Sequence, residues 1–162
     1  MGSKPIPTSD KSIEKMENIL ISACLLGLAT RYDGDSREYP AVELLREKYN
    51  LIPFCPEIYG GLPTPRTPSE RCGARVITKL GEDVTEKYEK GAREAYRMAK
   101  LFRCRIAVFK ERSPACATHE IYDGNFSGKR ITGMGVASEY LSRRGITVVS
   151  EDEIMALLAK ND

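Results

Sequence analysis

Short apolar runs alternate with longer stretches of helical periodicity along most of this chain. Ile19-Leu20-Ile21, Leu51-Ile52-Pro53-Phe54 and Ile106-Ala107-Val108-Phe109 are too short for helices, and their apolar composition is that of strands buried on both faces. Residues 18–23, 51–54, 105–109 and 146–149 are therefore read as four strands. Between them, residues 40–49 place Val42, Leu44, Leu45 and Tyr49 at helical spacing behind a proline that a first helical turn tolerates. Residues 81–85 lead with acidic residues into a long helix ending near Phe102, whose small face (Ala92, Ala95, Ala99, with Met98) suits close packing on a sheet. Residues 133–144 enter a helix through glycines, and 151–160 form a closing helix. Strands alternating with helices imply parallel pairing through right-handed crossovers. The expected fold is a single α/β, Rossmann-like domain with a roughly four-stranded parallel sheet in the order 2-1-3-4, flanked by helices.

Two stretches break the pattern. Residues 1–16 begin polar and aperiodic with two prolines, and read as a disordered leader or cloning scar, with Met16 as a candidate natural start and 17–162 as the domain. Residues 56–73 carry four prolines and three glycines, which excludes a regular element and leaves a long loop of the kind that forms lids and binding walls.

Composition narrows the function. At 162 residues the chain is long enough for one well-filled core, and 25 basic residues against 23 acidic, mixed along the chain, give no electrostatic footprint for gripping nucleic acid. A small molecule is the expected ligand, and tRNA is not. No run approaches the ~18 apolar residues of a membrane span, so the expected location is the cytoplasm. Five irregularly spaced cysteines in a reducing compartment point to metal, catalysis or inert core, not to a disulfide framework.

The cysteines fall into two groups. Cys24, Cys55 and Cys116 each follow the carboxyl end of a predicted strand, the edge where open parallel sheets bind ligands. Cys104 precedes the strand that Cys116 follows, roughly 17 Å away at the opposite edge. Cys72 lies in the proline-rich loop, where neither assignment applies. Three converging thiols can carry an iron–sulfur cluster with one iron left open, but free cysteine is equally at home as a small core residue, and no Cys-x-x-Cys spacing marks these positions.

Other residues carry paired readings. Glu57, two positions beyond Cys55, would face the same way in an extended segment and serve as a general acid or base, or else be a solvated loop carboxylate. Ser113 could turn its hydroxyl over the site through Pro114, or simply start a turn. His119, the sole histidine, could pair with Cys116 in a metal-free transferase or hydrolase, or cap a surface element. Gly133-Met134-Gly135 could offer amides to an anion, and Arg66 and Arg31 could hold one. A non-catalytic module that carries a cluster or binds a small molecule is the third alternative.

Taken together, SACLLG (22–27), RYDG (31–34), CPE-x-x-GGLPTPR (55–66), G-x-DVT (81–85), SPAC (113–116), IYDG-x-FSG (121–128) and G-x-GV (133–136) resemble the thiouracil and thiouridine desulfidase family in order and content. The resemblance runs from about residue 18 to 154. It implies a 4Fe-4S cluster on three cysteines, Cys24, Cys55 and Cys116 by motif, with one open iron for the sulfur of a thiolated nucleobase, nucleoside or nucleotide. It further implies acid–base and substrate-positioning roles for Glu57 and Ser113, and a non-redox, lyase-type removal of sulfur that leaves the oxo base and hydrogen sulfide. One motif departs from the family pattern: Ala115 and Ala117 stand where a second serine and a glycine are usual. Cys72 has no counterpart in the pattern.

Overall fold

The structure is a computed structural model that describes residues 15–35 and 39–160. The expected leader lies almost wholly outside these residues. Four parallel strands form the central sheet: β1 (Glu17–Ser22), β2 (Tyr49–Phe54), β5 (Ile106–Phe109) and β8 (Thr147–Ser150), in the order β2-β1-β5-β8. That is the 2-1-3-4 order expected from the sequence. Its register pairs Ile19 with Leu51 and Leu20 with Ile52 on one side, and Leu20 with Ala107 on the other.

Alternation along the strands divides the core into two layers. Ile19, Ile21 and Val108 pack with Val42 and Leu45 of α1 (Ala41–Arg46) and with Ile154 and Leu158 of α5 (Ile154–Ala159). Leu20, Ala107 and Phe109 meet α3 (Thr85–Leu101) and α4 (Val136–Ser142) on the other face. On α3 the buried stripe is Tyr88, Gly91, Ala92, Ala95 and Ala99, and its glycine and alanines let the helix lie close to the sheet. Two glycines set a closer contact still. A Cβ at Gly91 would sit 1.9 Å from the carbonyl oxygen of Pro56, and one at Gly60 would sit 2.1 Å from that of Lys87.

Several boundaries differ from the sequence reading. Tyr49 opens β2 instead of ending α1, because its buried side chain belongs to the sheet's α1/α5 face. The stretch 56–73 is not without regular structure: it holds α2 (Pro56–Tyr59), with the proline at the helix start where its missing N–H costs nothing, and β3 (Ser69–Cys72), which pairs antiparallel with β4 (Arg75–Thr78). A second hairpin, β6 (Glu120–Tyr122) with β7 (Arg130–Thr132), was not expected at all. Each of its strands has three residues, too few to show a period. No helix among the described residues is long and apolar enough to cross a membrane.

Candidate functional site

The carboxyl edge of the sheet opens into a cavity of about 530 Å³, in the range of small-molecule sites. Cys24, Cys55 and Cys116 all line it; Cys72 and Cys104 do not. Cys24 sits in a 3₁₀ turn (Ala23–Leu25) directly after β1, and Cys55 caps α2 directly after β2. Cys116 lies in the loop after β5, buried at 6% exposure. Cys104 is buried before β5, away from the cavity, and Cys72 is exposed at the end of β3. The two-group division of the cysteines is thus the arrangement in space.

The three thiols are close enough to influence one another. Burial raises the pKa of Cys24 to about 11, with the charge of Cys55 adding to the effect. Burial likewise lifts Cys55, against the backbone N–H of Ile58 that favours its thiolate. Cys116 is also pushed well up, by burial first and then by Cys55, while the Ser22 hydroxyl opposes the shift. Left alone, these thiols stay protonated, and a positively charged group that displaces the protons would be held strongly. No set of three or more His, Cys, Asp or Glu among the described residues is drawn together as ligands of a single ion are. Thiolates that each bind a different iron stand further apart than ligands of one ion. An all-sulfur donor set lining one cavity, with hydrogen-bond donors already at two of the sulfurs, fits an iron–sulfur cluster.

Glu57 also lines the cavity, although it projects from the first turn of α2 and not from an extended segment. One carboxylate oxygen accepts a hydrogen bond from the buried Tyr88 hydroxyl of α3. The other accepts from Arg66, at 2.5 Å. Arg66 is itself tied down: its side chain is 4% exposed, and it donates to the carbonyls of Thr30 and Pro63 and to the Thr64 hydroxyl. The proline-rich stretch therefore supplies the clamp on Glu57. Tyr88 went unrecognised in the sequence because it falls on the apolar stripe of α3, where a tyrosine reads as core.

The Cys116 loop is organised by two side chains. The Ser113 oxygen accepts the backbone N–H groups of Ala115 and Cys116, both at 3.1 Å, so its hydrogen is what remains to be offered to the cavity. Glu111, buried, receives the N–H groups of Thr118, His119 and Glu120, each at 3.0 Å, and the Thr118 hydroxyl at 2.7 Å. Its own N–H donates to Glu151, which directly follows β8. Sequence reasoning missed Glu111, since a glutamate beside a charged neighbour after a strand reads as solvated. Ala117 does not adopt a left-handed backbone, so the glycine usual in the family motif is not required there. Ala115 is buried where Gly135 approaches so closely that a Cβ would stand 2.3 Å from its carbonyl carbon.

Two open readings are decided by the geometry, His119 in favour of the surface alternative. His119 does not line the cavity; it is exposed and pairs with Glu153 at 2.7 Å, which raises its pKa by that hydrogen bond. It is no partner for Cys116. The amides of Gly133, Gly135 and Val136 are not offered to an anion, because they donate to the carbonyls of His119, Ala117 and Pro114 and dock α4 onto the Cys116 loop. Arg31 does line the cavity, beside Asp33 at 3.6 Å.

Comparison with known proteins agrees with this geometry. A solved structure of a [4Fe-4S]-dependent thiouracil desulfidase, TudS, superposes with a TM-score of 0.83 at 41% identity, covering 89% of this chain and 97% of that one. The uncharacterised protein YbbK of Bacillus subtilis (strain 168) is 39% identical over 150 residues, 86% of this chain and 99% of its own length. The model of the 2-thiouracil desulfurase family matches residues 19–153, and the chain belongs to that family.

Proposed function

We propose that this protein is an iron–sulfur-dependent desulfidase that converts a thiolated pyrimidine and water to the oxo base and hydrogen sulfide. The observation that carries the reading is the convergence of Cys24, Cys55 and Cys116, from three different strand ends, on one cavity that also receives Glu57 and Ser113. Cys24, Cys55 and Cys116 would hold a 4Fe-4S cluster. When bound, that cluster supplies a soft Lewis acid for a thiocarbonyl sulfur, with no net electron transfer. The rest of the chemistry falls to side chains. Glu57, fixed on both oxygens by Tyr88 and Arg66, is placed to take a proton from an attacking water and return it to the departing sulfur. Ser113 acts as a hydrogen-bond donor to the ring or to the water, since its oxygen is already occupied by two amides. The substrate is a free base, nucleoside or nucleotide small enough for the cavity. A cytoplasmic location accords with thiols that must stay reduced.

The test is anaerobic reconstitution followed by incubation with 2-thiouracil, measuring sulfide and uracil, while the cluster's absorption is followed on addition of thiouracil or uracil. Stoichiometric sulfide and uracil, with a spectral change for the thio compound alone, are expected. A reconstituted protein that releases no sulfide and gives identical spectra with both compounds would refute the proposal. His119, outside the cavity, leaves the metal-free cysteine–histidine alternative without its base.

A further inference from the structure

The motif at residues 121–128 has no part in the chemistry above, yet it reaches the same cavity. Tyr122 and Phe126 both line it. Phe126 has a φ of +54°, in the left-handed region that an aromatic residue rarely adopts. The buried carboxylate of Glu70 on β3 holds it there, one oxygen accepting the N–H of Gly124 at 3.0 Å and of Phe126 at 3.1 Å. Gly124, at φ +93°, is pressed so closely on β3 that a Cβ would stand 3.0 Å from that of Cys72. Asp123 closes the turn by accepting the N–H of Asn125 at 2.9 Å. The loop is therefore fixed on β3 at Gly124 and Phe126.

The strain has no return in the core. Among the described residues, Phe126 belongs to neither hydrophobic cluster and stacks on no other ring. A half-buried ring held in an unfavourable backbone conformation at the wall of a ligand cavity is placed for the ligand. On the desulfidase reading, on which this step rests, that ligand is a flat aromatic ring. We infer that Phe126 is the platform on which the substrate's pyrimidine stacks, and that Glu70 is the positioning residue that presents it. Stacking reads a π-face and no particular hydrogen-bond edge. Phe126 accordingly sets affinity for planar rings and takes no part in proton transfer.

The experiment compares Phe126→Ala, Phe126→Leu and Phe126→Tyr as reconstituted enzymes, recording KM for 2-thiouracil, kcat, and the inhibition constant of uracil. Loss of one base–aromatic stack corresponds to a rise of about 5- to 150-fold in KM and in the inhibition constant. That rise is expected for Ala and Leu with kcat near wild type, the signature of lost uniform binding, and Tyr should restore both constants. Phe126→Gly, which eases the left-handed backbone, should leave the thermal midpoint of the apoprotein no lower than that of Phe126→Ala while KM stays high. An active wild type whose Phe126→Ala variant keeps its KM, or in which Leu serves as well as Tyr, overturns the inference and leaves the desulfidase reading standing. A wild type that neither binds nor desulfurates thiouracil overturns both.

Discussion

Glu111 offers the sharpest test of how the site is held, because its carboxylate fixes the loop that carries Cys116 and Ser113. Glu111→Ala strands five donors: the N–H groups of Thr118, His119, Glu120 and, at 3.4 Å, the exposed Arg112, together with the Thr118 hydroxyl. Thr118 is buried, and each of its two donors costs about 1–3 kcal/mol when unpaired. His119 and Glu120 are exposed, so water can reach their amides and their contribution is small. The sum is about 2–6 kcal/mol against a total domain stability of about 5–15 kcal/mol. Urea unfolding of the apoprotein, followed by far-UV circular dichroism, measures it. Glu111→Gln separates shape from charge, since an amide oxygen can still accept from the backbone N–H groups. Burial works against the Glu111 charge, but the amides of Glu120 and His119 and the Thr118 hydroxyl outweigh it and hold its pKa below the ordinary 4.5. A depressed folded-state pKa means stabilisation fully present above the unfolded value and lost as pH falls through the folded one. The stability gap between wild type and Glu111→Gln should therefore be constant near neutrality and close below about pH 4.5. An alanine variant within about 1 kcal/mol of wild type, or a gap that ignores pH down to about 3, would refute the reasoning.

Three further outcomes are expected. Cys24→Ser, Cys55→Ser and Cys116→Ser should each lose most of the iron after reconstitution, while Cys72→Ser and Cys104→Ser retain it; full iron in any of the first three contradicts the ligand set. Glu57→Gln should keep wild-type iron content and lose about 10²–10⁴ in desulfuration rate, the usual contribution of a positioned acid–base group; undiminished turnover would make Glu57 a bystander. Gly91→Ala, which in an ordinary helix interior would stabilise by roughly 1 kcal/mol, should instead destabilise by about 1–3 kcal/mol, because the added carbon meets the Pro56 carbonyl. A raised thermal midpoint would show that α2 can yield.

The parts of this architecture that repeat a simple period were legible in the sequence. Ile19, Leu51, Ile106 and Ile146 announce the sheet by short apolar runs, and once the strands are placed the three site cysteines follow from their position just past strand ends. The parallel pairing of the four strands follows from their alternation with helices. What could not be read is whatever depends on a partner distant in sequence. Tyr88 looks like core until Glu57, 31 residues earlier, is found at its hydroxyl. Glu111 looks solvated until residues 118–120 fold back over it. The hairpin of Glu120–Tyr122 and Arg130–Thr132 is too short to declare itself, and the glycines at 133 and 135 suggested an anion site because their true acceptors lie in the Cys116 loop.

These missed residues share one physical cause. Loops at the carboxyl edge of a parallel sheet have left the ladder that satisfies backbone amides, so their N–H groups need other acceptors if the loops are to be fixed and partly buried. Here three glutamates organise the walls of the cavity. Glu111 holds the Cys116 loop, Glu70 holds the loop that presents Phe126, and Glu57 is itself held by Arg66 from the proline-rich stretch. A carboxylate suits this work because two oxygens can gather several donors at once, with charge-assisted bonds stronger than those of a neutral acceptor. The same device has an electrostatic cost at Glu57, whose charge disfavours the thiolates that a cluster needs and raises the pKa of both Cys55 and Cys116. Arg66 and Lys110, which line the same cavity, oppose it: Arg66 lowers the pKa of Cys55, and Lys110 lowers that of Cys24. The balance accounts for a site whose walls are set by its own side chains before any cluster is bound, and whose thiols remain protonated until one displaces their protons.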